Sequence, residues 1–306
     1  MSGHHPVQLP RWRRPARRPD RVMVMSEGPP HPGAPAAPLA ATARWIAAAR
    51  AGETRRPDRL LEDPWAAALA GPEGEDWLGA RAGSPALAVM IIRARFFDDF
   101  LRRVTATGGV GQVVLLGAGL DTRGYRLSWP GRVQLFELDQ PEVLDRKQHI
   151  LDRAGAEPRC ARRAVGVDLT GRWTTALLDA GFDPGASSCW LAEGFLFYLP
   201  GEEIARLLDE LTGLARAGSW LGFDIANTAT LTHPLTRPWI DMQARLGAPW
   251  LGTLDDPAAF LAEHGWQATL TQPGEPGADY GRSLFPVPAP ALPGAPRHWF
   301  VTARRR

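Results

Sequence analysis

The chain has 306 residues, of which 44% are hydrophobic and 22% charged. These values exclude a fibrous or wholly disordered protein and allow one large domain, or two small ones, with a sizeable core. The formal net charge is +2, but residues 1–38 hold six arginines against two acids, so the remainder carries about −2. The body of the chain therefore gives no reason to expect a nucleic-acid partner.

The first 38 residues are rich in proline and arginine, and this composition predicts a disordered tail. Translation could begin at Met1, Met23 or Met25. The sequence contains no apolar run long enough to span a bilayer, so we expect no membrane association. Two cysteines, Cys160 and Cys189, are too few for a disulfide framework and favour a cytoplasmic protein.

Three helices are predicted before any strand, at 39–53, 63–71 and 84–104. Asp63 and Pro64 are expected to open the second, and Ser84 is expected to cap the third with Pro85 at its first position. We interpret residues 39–107 as a helical cap on the domain that follows.

From residue 108 the pattern alternates between strands and helices. This alternation predicts an α/β fold, a doubly wound, mainly parallel sheet of the Rossmann-like kind. The last two strands have no helix between them and must pair antiparallel, which makes a seven-stranded sheet with an antiparallel last strand. Residues 108–226 would form the core, 227–256 a lid and 257–306 the C-terminal strands. The strands are predicted at 111–116, 132–138, 161–167, 187–193, 219–225, 265–271 and 297–303, and the helices near 141–153, 173–180 and 201–215.

The first strand runs into a glycine turn, Gly117-Ala118-Gly119, with a helix expected from about Thr122. Glycines at this place let a ligand approach the backbone, and the helix N-terminus would offer free N–H groups. The fingerprint for dinucleotides has a third glycine where this chain has Thr122, and Gly124 follows two residues later. The turn therefore favours a smaller adenosine ligand over NAD.

Acidic residues follow three further strands. Asp139 lies 20 residues beyond Gly119, a spacing typical of a carboxylate that binds ribose hydroxyls; Asp168 and Glu193 end the next two strands. Each acid alone is more often a helix cap. Three of them at one sheet edge, behind a glycine turn, predict a binding site for an adenosine ligand.

The chain contains the motifs GAGLDTRGYRL, FELDQPEVLDRKQ, the VDL strand end, WLAEGFLFYLP, ETRRPDRLLEDPWAAAL and RARFFDDFL, which together extend from about Ala41 to Asp224. These motifs resemble those of the leucine carboxyl methyltransferase family, in particular its bacterial branch of S-adenosylmethionine-dependent O-methyltransferases of polyketide and other secondary metabolism. The resemblance implies a class I methyltransferase fold and S-adenosyl-L-methionine as cofactor.

The resemblance also implies roles for individual residues. Gly117, Ala118 and Gly119 would pass under the methionine portion of the cofactor, and Asp139 would hold its ribose. Asp168 and Leu169 would read the adenine edge, and Glu193 would lie near the amino group. Arg95 resembles the arginine that pairs with the cofactor carboxylate, with Arg93 as its close rival.

The methyl acceptor is a small molecule whose identity the sequence leaves open. A carboxylate acceptor would need only a neutralising partner such as Arg123. A hydroxyl acceptor would gain from a base, for which Tyr198, Asp224 and His233 are candidates because they follow strand ends. Tyr198 could equally be packing beside the adenosine. Trp239 and Trp250 could line an apolar pocket, and no histidine has the spacing of a metal site.

We therefore expect methyl transfer from S-adenosylmethionine to an oxygen, of a carboxylate or a hydroxyl, on a small molecule. No catalytic residue is assigned from sequence, and the oligomeric state is open. The alternatives are an NAD-dependent oxidoreductase and a catalytically inactive binding protein.

Overall fold

The structure is a computed structural model that describes residues 36–80, 85–107, 109–131, 133–282, 287–289 and 292–306. Of the predicted disordered tail, 1–38, residues 1–35 lie outside the described ones, as does the predicted cap Ser84. Residues 36–38 begin the first helix, so the predicted tail was three residues too long. Among the helices that the structure describes, none has the length and apolar character needed to cross a bilayer.

Ten helices and seven strands are found in the described part of the chain. The helices are α1 (Ala36–Thr54), α2 (Ala66–Gly79), α3 (Pro85–Thr107), α4 (Arg123–Arg126), α5 (Pro141–Arg153), α6 (Trp173–Asp179), α7 (Gly201–Leu214), α8 (Thr228–Thr232), α9 (Arg237–Arg245) and α10 (Pro257–Glu263). The strands are β1 (Gln112–Leu116), β2 (Gln134–Asp139), β3 (Ala161–Gly166), β4 (Ser188–Ala192), β5 (Trp220–Ala226), β6 (Trp266–Thr271) and β7 (His298–Arg305).

The seven strands form one sheet in the order β3-β2-β1-β4-β5-β7-β6. Strands β1 to β5 pair in parallel, whereas β7 runs antiparallel to both β5 and β6. The predicted fold class and the antiparallel pairing of the last two strands are confirmed. The strand order reverses between β1 and β4, and in open α/β sheets ligands bind at such a switch point.

Packed side chains cover the sheet on both faces, and alternate residues of β1 point to these two opposite sides. Val114 and Leu116 join one core, which includes residues of α6, α7 and α10. Val113 and Leu115 join the other, to which α3 contributes Phe97, Phe100, Leu101 and Val104. This packing explains why β1 and β4 are apolar at every position after their first residues, Gln112 and Ser188, which are buried and polar.

The N-terminal helices differ from prediction in two places. Helix α2 extends to Gly79 and is interrupted at Gly71, which has φ of 63° and is followed by Pro72. Asp63 lies three residues before the helix: its Oδ1 accepts from the N–H of Trp65 at 3.2 Å, in the turn that leads into α2, and its Oδ2 accepts from Arg50 and Thr122. The predicted second helix is therefore present, but its predicted start and length were wrong.

The segment predicted as a lid contains two short helices, α8 and α9, that the sequence analysis did not predict. Asn227 caps α8 by accepting a hydrogen bond from the N–H of Thr230. The helix predicted from about Thr122 is only one turn long, the four residues of α4.

Candidate active site

The glycine turn lies directly after β1, at the switch point of the sheet. Gly117 has φ of 65° and Gly119 of 46°, a region that favours glycine. A Cβ on Gly117 would lie 2.7 Å from the ring of Phe195, which follows β4. The backbone of the turn can therefore be approached closely only because it carries no side chain at this position.

Asp139, the last residue of β2, is hydrogen bonded to the turn. Its Oδ2 accepts from the N–H of Gly119 at 2.7 Å, and its Oδ1 accepts from the N–H of Gln140 at 2.7 Å. Burial raises the pKa of Asp139 and outweighs these two donors. Each oxygen keeps a further acceptor site, which suits a pair of ligand hydroxyls.

The N-terminal cap fixes the other side of the turn. Arg50 of α1 donates to the carbonyl of Leu120 at 2.7 Å and to Asp63 at 2.8 Å. The hydroxyl of Thr122 donates to the same Asp63 carboxylate at 2.6 Å. Thr122, which stands where a dinucleotide fingerprint has glycine, thus joins the cap to the turn.

One expectation about this turn is wrong. The backbone N–H groups of Gly119 and Arg123 are not free, because Asp139 and Asp121 accept their hydrogen bonds. Close packing of the turn on β2 is present although Thr122 replaces the third glycine of the fingerprint. A Cβ on Gly124 would lie 2.9 Å from Leu135 of β2, so Gly124 supplies that contact.

Arg123 is the centre of a buried ionic cluster and not a free cation. Its side chain is 3% exposed and contacts Asp98 at 2.8 Å, Glu193 at 2.6 Å and also Asp121. Asp98 of α3 is bound as well by Arg126. Three carboxylates already share the charge of Arg123, so its predicted role as the neutralising partner of an acceptor carboxylate is corrected to a structural one.

Glu193, after β4, lies at the switch point as predicted, and the arginine that reaches it from α3 is Arg93. Nε of Arg93 donates to Glu193 at 3.1 Å, and Nη1 donates to Asp224 at 2.9 Å. Nη2 lies beside Gly194 and donates none of the hydrogen bonds found among the described residues. Arg93 thus has two N–H donors available for an anion at this edge.

Arg95, the arginine favoured from sequence, lies elsewhere. It donates to Asp99 at 2.8 Å and to the carbonyl of Leu60, and its guanidinium lies over the ring of Tyr280. Residues two apart on a helix point to different faces, and only one of the two arginines can reach the sheet edge. The assignment to Arg95 is therefore corrected in favour of Arg93.

The end of β3 is more open than the switch point. Asp168 is exposed, and its Oδ1 accepts hydrogen bonds from the N–H and the hydroxyl of Thr170 at 2.9 and 2.7 Å. Leu169 is 6% exposed and packs in the core with Trp173. Asp168 keeps Oδ2 for an outside donor, while Leu169 can offer little beyond its backbone.

Tyr198 lies in a short 3₁₀ turn, Leu196–Tyr198, after β4. Its ring meets that of Phe197 edge-on at 4.8 Å, and Phe197 stacks on Trp250 at 4.3 Å. Burial raises the pKa of Tyr198, so its hydroxyl stays protonated at neutral pH and is not available to accept a proton. The aromatic group forms one wall beside the switch point.

The other wall is polar, and it contains a histidine that the sequence analysis considered only as a metal ligand. His298, the first residue of β7, pairs in register with Ala226, the last residue of β5. Its Nε2 lies 2.8 Å from Oδ2 of Asp224, which is completely buried. The antiparallel direction of the last strand, which was predicted, was the signal that could have placed its first residue at this edge.

His233, a predicted candidate base, ends α8, where its Nδ1 accepts a hydrogen bond from the N–H of Leu235. Asp224, another candidate, accepts from Arg93, from His298 and, at 2.6 Å, from the N–H of Gly194. These partners outweigh its burial and lower the pKa of Asp224 to about 2. Asp224 is therefore a fixed anion and not a proton acceptor.

Comparison with known proteins decides the family. Residues 43–212 match the model of the family described as leucine carboxyl methyltransferase. The chain belongs to the leucine carboxyl methyltransferase family. The matched region begins in α1 and ends in α7. It includes Arg93, Asp139 and Glu193, whereas Asp224 and His298 lie beyond it.

Two relatives of the chain carry the provisional name S-adenosyl-L-methionine-dependent methyltransferase. One, from Mycolicibacterium smegmatis, is 38% identical over 80% of this chain and 89% of its own. The other, from Parafrankia sp., is 39% identical over 85% of this chain and 84% of its own. A crystal structure of a DUF574 family protein from Streptomyces avermitilis has a TM-score of 0.59 at 15% identity, covering 87% of this chain and 97% of that one. The last similarity concerns the fold alone.

Proposed function

We propose that the chain transfers a methyl group from S-adenosyl-L-methionine to an oxygen atom of a small molecule, of the kind found among polyketides and other secondary metabolites. The family and the names of its relatives support S-adenosylmethionine as the donor. They also favour S-adenosylmethionine over the nicotinamide cofactor that the glycine turn alone allowed.

The observation that carries this proposal is the arrangement of Asp139, Arg93 and Glu193 around the glycine turn. A sulfonium nucleoside has ribose hydroxyls, a carboxylate and an ammonium group. Asp139 has two carboxylate oxygens for the hydroxyls, Arg93 has free donors for the carboxylate, and Glu193 supplies an anion near the ammonium. These side chains are of the kinds that bind those polar groups, although Glu193 is also paired with Arg93 and Arg123.

The donor supplies an activated methyl group, and the protein has to align it with the acceptor and exclude water. Orientation of two reactants can contribute about 7–11 kcal/mol in favourable cases. The buried ionic cluster of Arg93 and Arg123 holds the ends of β4 and β5 rigidly against α3. Such rigidity keeps the acceptor side of the site in a fixed position relative to the donor side.

The experiment is label transfer from S-[methyl-¹⁴C]adenosylmethionine to paired phenols and carboxylic acids, with donor affinity measured in parallel by calorimetry. We expect donor binding and label on an oxygen of at least one acceptor. Donor binding without any transfer would support the inactive binding protein, and absence of donor binding would contradict the proposed function.

A further inference from the structure

His298 and Asp224 form a hydrogen-bonded pair whose geometry fixes where the imidazole proton resides. Asp224 is completely buried, and its pKa of about 2 keeps it a carboxylate that can only accept. The nitrogen 2.8 Å away, Nε2 of His298, must therefore carry a proton. In the neutral imidazole this leaves Nδ1 with a free lone pair.

Nδ1 of His298 receives none of the hydrogen bonds found in the described parts of the chain, and its side chain is 20% exposed. The ring lies against Trp250 at 6.3 Å and Phe300 at 5.6 Å, both edge-on. Two aromatic rings beside one unused basic nitrogen suit an aromatic or aliphatic acceptor that carries a hydroxyl.

The pair is directly connected to the donor side of the site. Asp224 accepts from the N–H of Gly194, the residue after Glu193, and from Arg93. The charged and titratable groups that face His298 are thus Asp224 from β5, Arg93 from α3 and, next to them, Tyr198 after β4. His298 therefore lies one carboxylate away from the residues that match the donor's amino-acid end.

We propose that His298 is the general base for a hydroxyl acceptor, a phenol or an alcohol, and that Asp224 is its positioning residue. This inference rests on the proposed function and narrows its acceptor class. The hydroxyl proton passes to Nδ1 while the oxygen forms a bond to the methyl carbon. The carbon–sulfur bond breaks, and its electron pair stays on sulfur, which becomes a neutral thioether. The proton on the imidazolium then leaves to solvent through the exposed edge of the ring.

The other candidate bases fit this step less well. Burial raises the pKa of Tyr198, which makes its phenolate rare at neutral pH. Asp224 already accepts from three partners, and Nδ1 of His233 is used in its own turn. A carboxylate acceptor would need no base at all, so the oriented histidine favours a hydroxyl.

The first test compares His298→Gln with His149→Gln, an exposed histidine on α5 that serves as control. The acceptors are 2-naphthol and 2-naphthoate, which differ in whether the oxygen must lose a proton. We expect His298→Gln to lower kcat with 2-naphthol by about 10²–10⁴-fold at neutral pH. Donor Kd should stay within roughly twofold, and 4-nitrophenol at a pH where it is ionised should lose far less.

The second test needs no acceptor. Long-range ¹H–¹⁵N NMR of the donor-bound protein reports the imidazole tautomer, with His298→Gln assigning the signal. We expect the proton on Nε2, and in Asp224→Asn we expect that preference to be lost while donor is still bound. A proton on Nδ1 overturns the proposal, as does unchanged 2-naphthol turnover in His298→Gln. Wild-type protein that methylates only 2-naphthoate overturns it too and leaves the proposed function standing, whereas loss of donor binding by the wild type would contradict the latter.

Discussion

Nζ of Lys147, the only lysine in the chain, lies 2.8 Å from Oε2 of Glu137, and both side chains are completely buried. Arg162 contacts the same oxygen of Glu137 at 2.7 Å. Burial alone would raise the pKa of Glu137, but the two cations outweigh it and lower that pKa. The group joins β2, α5 and β3 just below the strand end that carries Asp139.

Removing the anion from this group should cost more than removing one cation. Glu137→Leu leaves Lys147 and Arg162 buried together without a counter-charge, and we expect it to lower the free energy of unfolding by about 3–5 kcal/mol. Lys147→Met leaves the Glu137–Arg162 pair intact and should cost less. Urea unfolding of both variants and of the double variant measures this order, and a larger loss in Lys147→Met would contradict it.

Two buried aspartates should make the free energy of unfolding decrease at acid pH. Burial opposes ionisation of Asp98 and Asp224, yet their basic partners outweigh it, and each pKa is lowered to about 2. The ordinary value in an unfolded chain is about 3.9. Because the folded pKa is the lower one, this stabilisation is present above about pH 4 and is lost as the pH falls towards about 2.

Each of the two aspartates should contribute about 2–3 kcal/mol to the full loss, of which about half has occurred by about pH 3. Urea midpoints measured between neutral pH and about pH 3 check it, with Asp241→Asn as a control whose exposed pair with Arg237 should not change the slope. Asp98→Asn should flatten the acid limb. An unfolding free energy that stays constant down to about pH 3 would refute the assignment.

The sequence was sufficient for the sheet because strand burial and crossover spacing are local patterns. β1 and β4 are apolar at four of their five positions, and the absence of a helix between β6 and β7 predicted their antiparallel pairing. Helix starts were harder to predict because tertiary contacts override local signals. Asp63 looks like a cap and accepts from the N–H of Trp65, yet its other oxygen is bound by Arg50 and Thr122, and α2 begins only at Ala66.

The site residues that follow strands were predictable. Those whose role depends on which direction a helix face points were not. Asp139 and Glu193 lie at strand ends, and the structure places them at one edge. The choice between Arg93 and Arg95 depends on helix rotation, which spacing alone does not fix. The burial of Arg123 was equally invisible to spacing, because its partner Asp98 lies 25 residues earlier in the chain.

The position of Asp139 makes a prediction about ribose recognition. We expect Asp139→Ala to weaken S-adenosylhomocysteine binding by about 10–100-fold, since it removes a charged hydrogen-bond acceptor. The 2′-deoxyribose analogue should bind the wild type more weakly than the parent compound, and Asp139→Ala should bind the two almost equally. Calorimetry measures both, with Asp145→Ala on the exposed face of α5 as control. Retained discrimination in Asp139→Ala would place the ribose elsewhere.

Arg93 and Arg95 offer a matched pair for the donor's carboxylate, two residues apart on one helix. Arg93→Gln removes the Nη2 donors beside Gly194 and leaves Glu193 and Asp224 without that partner. Arg95→Gln breaks a partly exposed pair with Asp99, a hydrogen bond to the carbonyl of Leu60 and a contact with Tyr280, all away from Glu193. We expect the wild type and Arg95→Gln to prefer S-adenosylmethionine over its decarboxylated form by about 10-fold or more.

Arg93→Gln should lose that preference, because the group that distinguishes the two compounds no longer has its partner. Calorimetric Kd values for both compounds with all three proteins form the complete comparison, and thermal unfolding shows whether Arg93→Gln remains folded. The preference is a ratio within one protein, so a general loss of stability cannot produce it. If Arg95→Gln loses the preference and Arg93→Gln keeps it, the carboxylate is bound on the other face of α3.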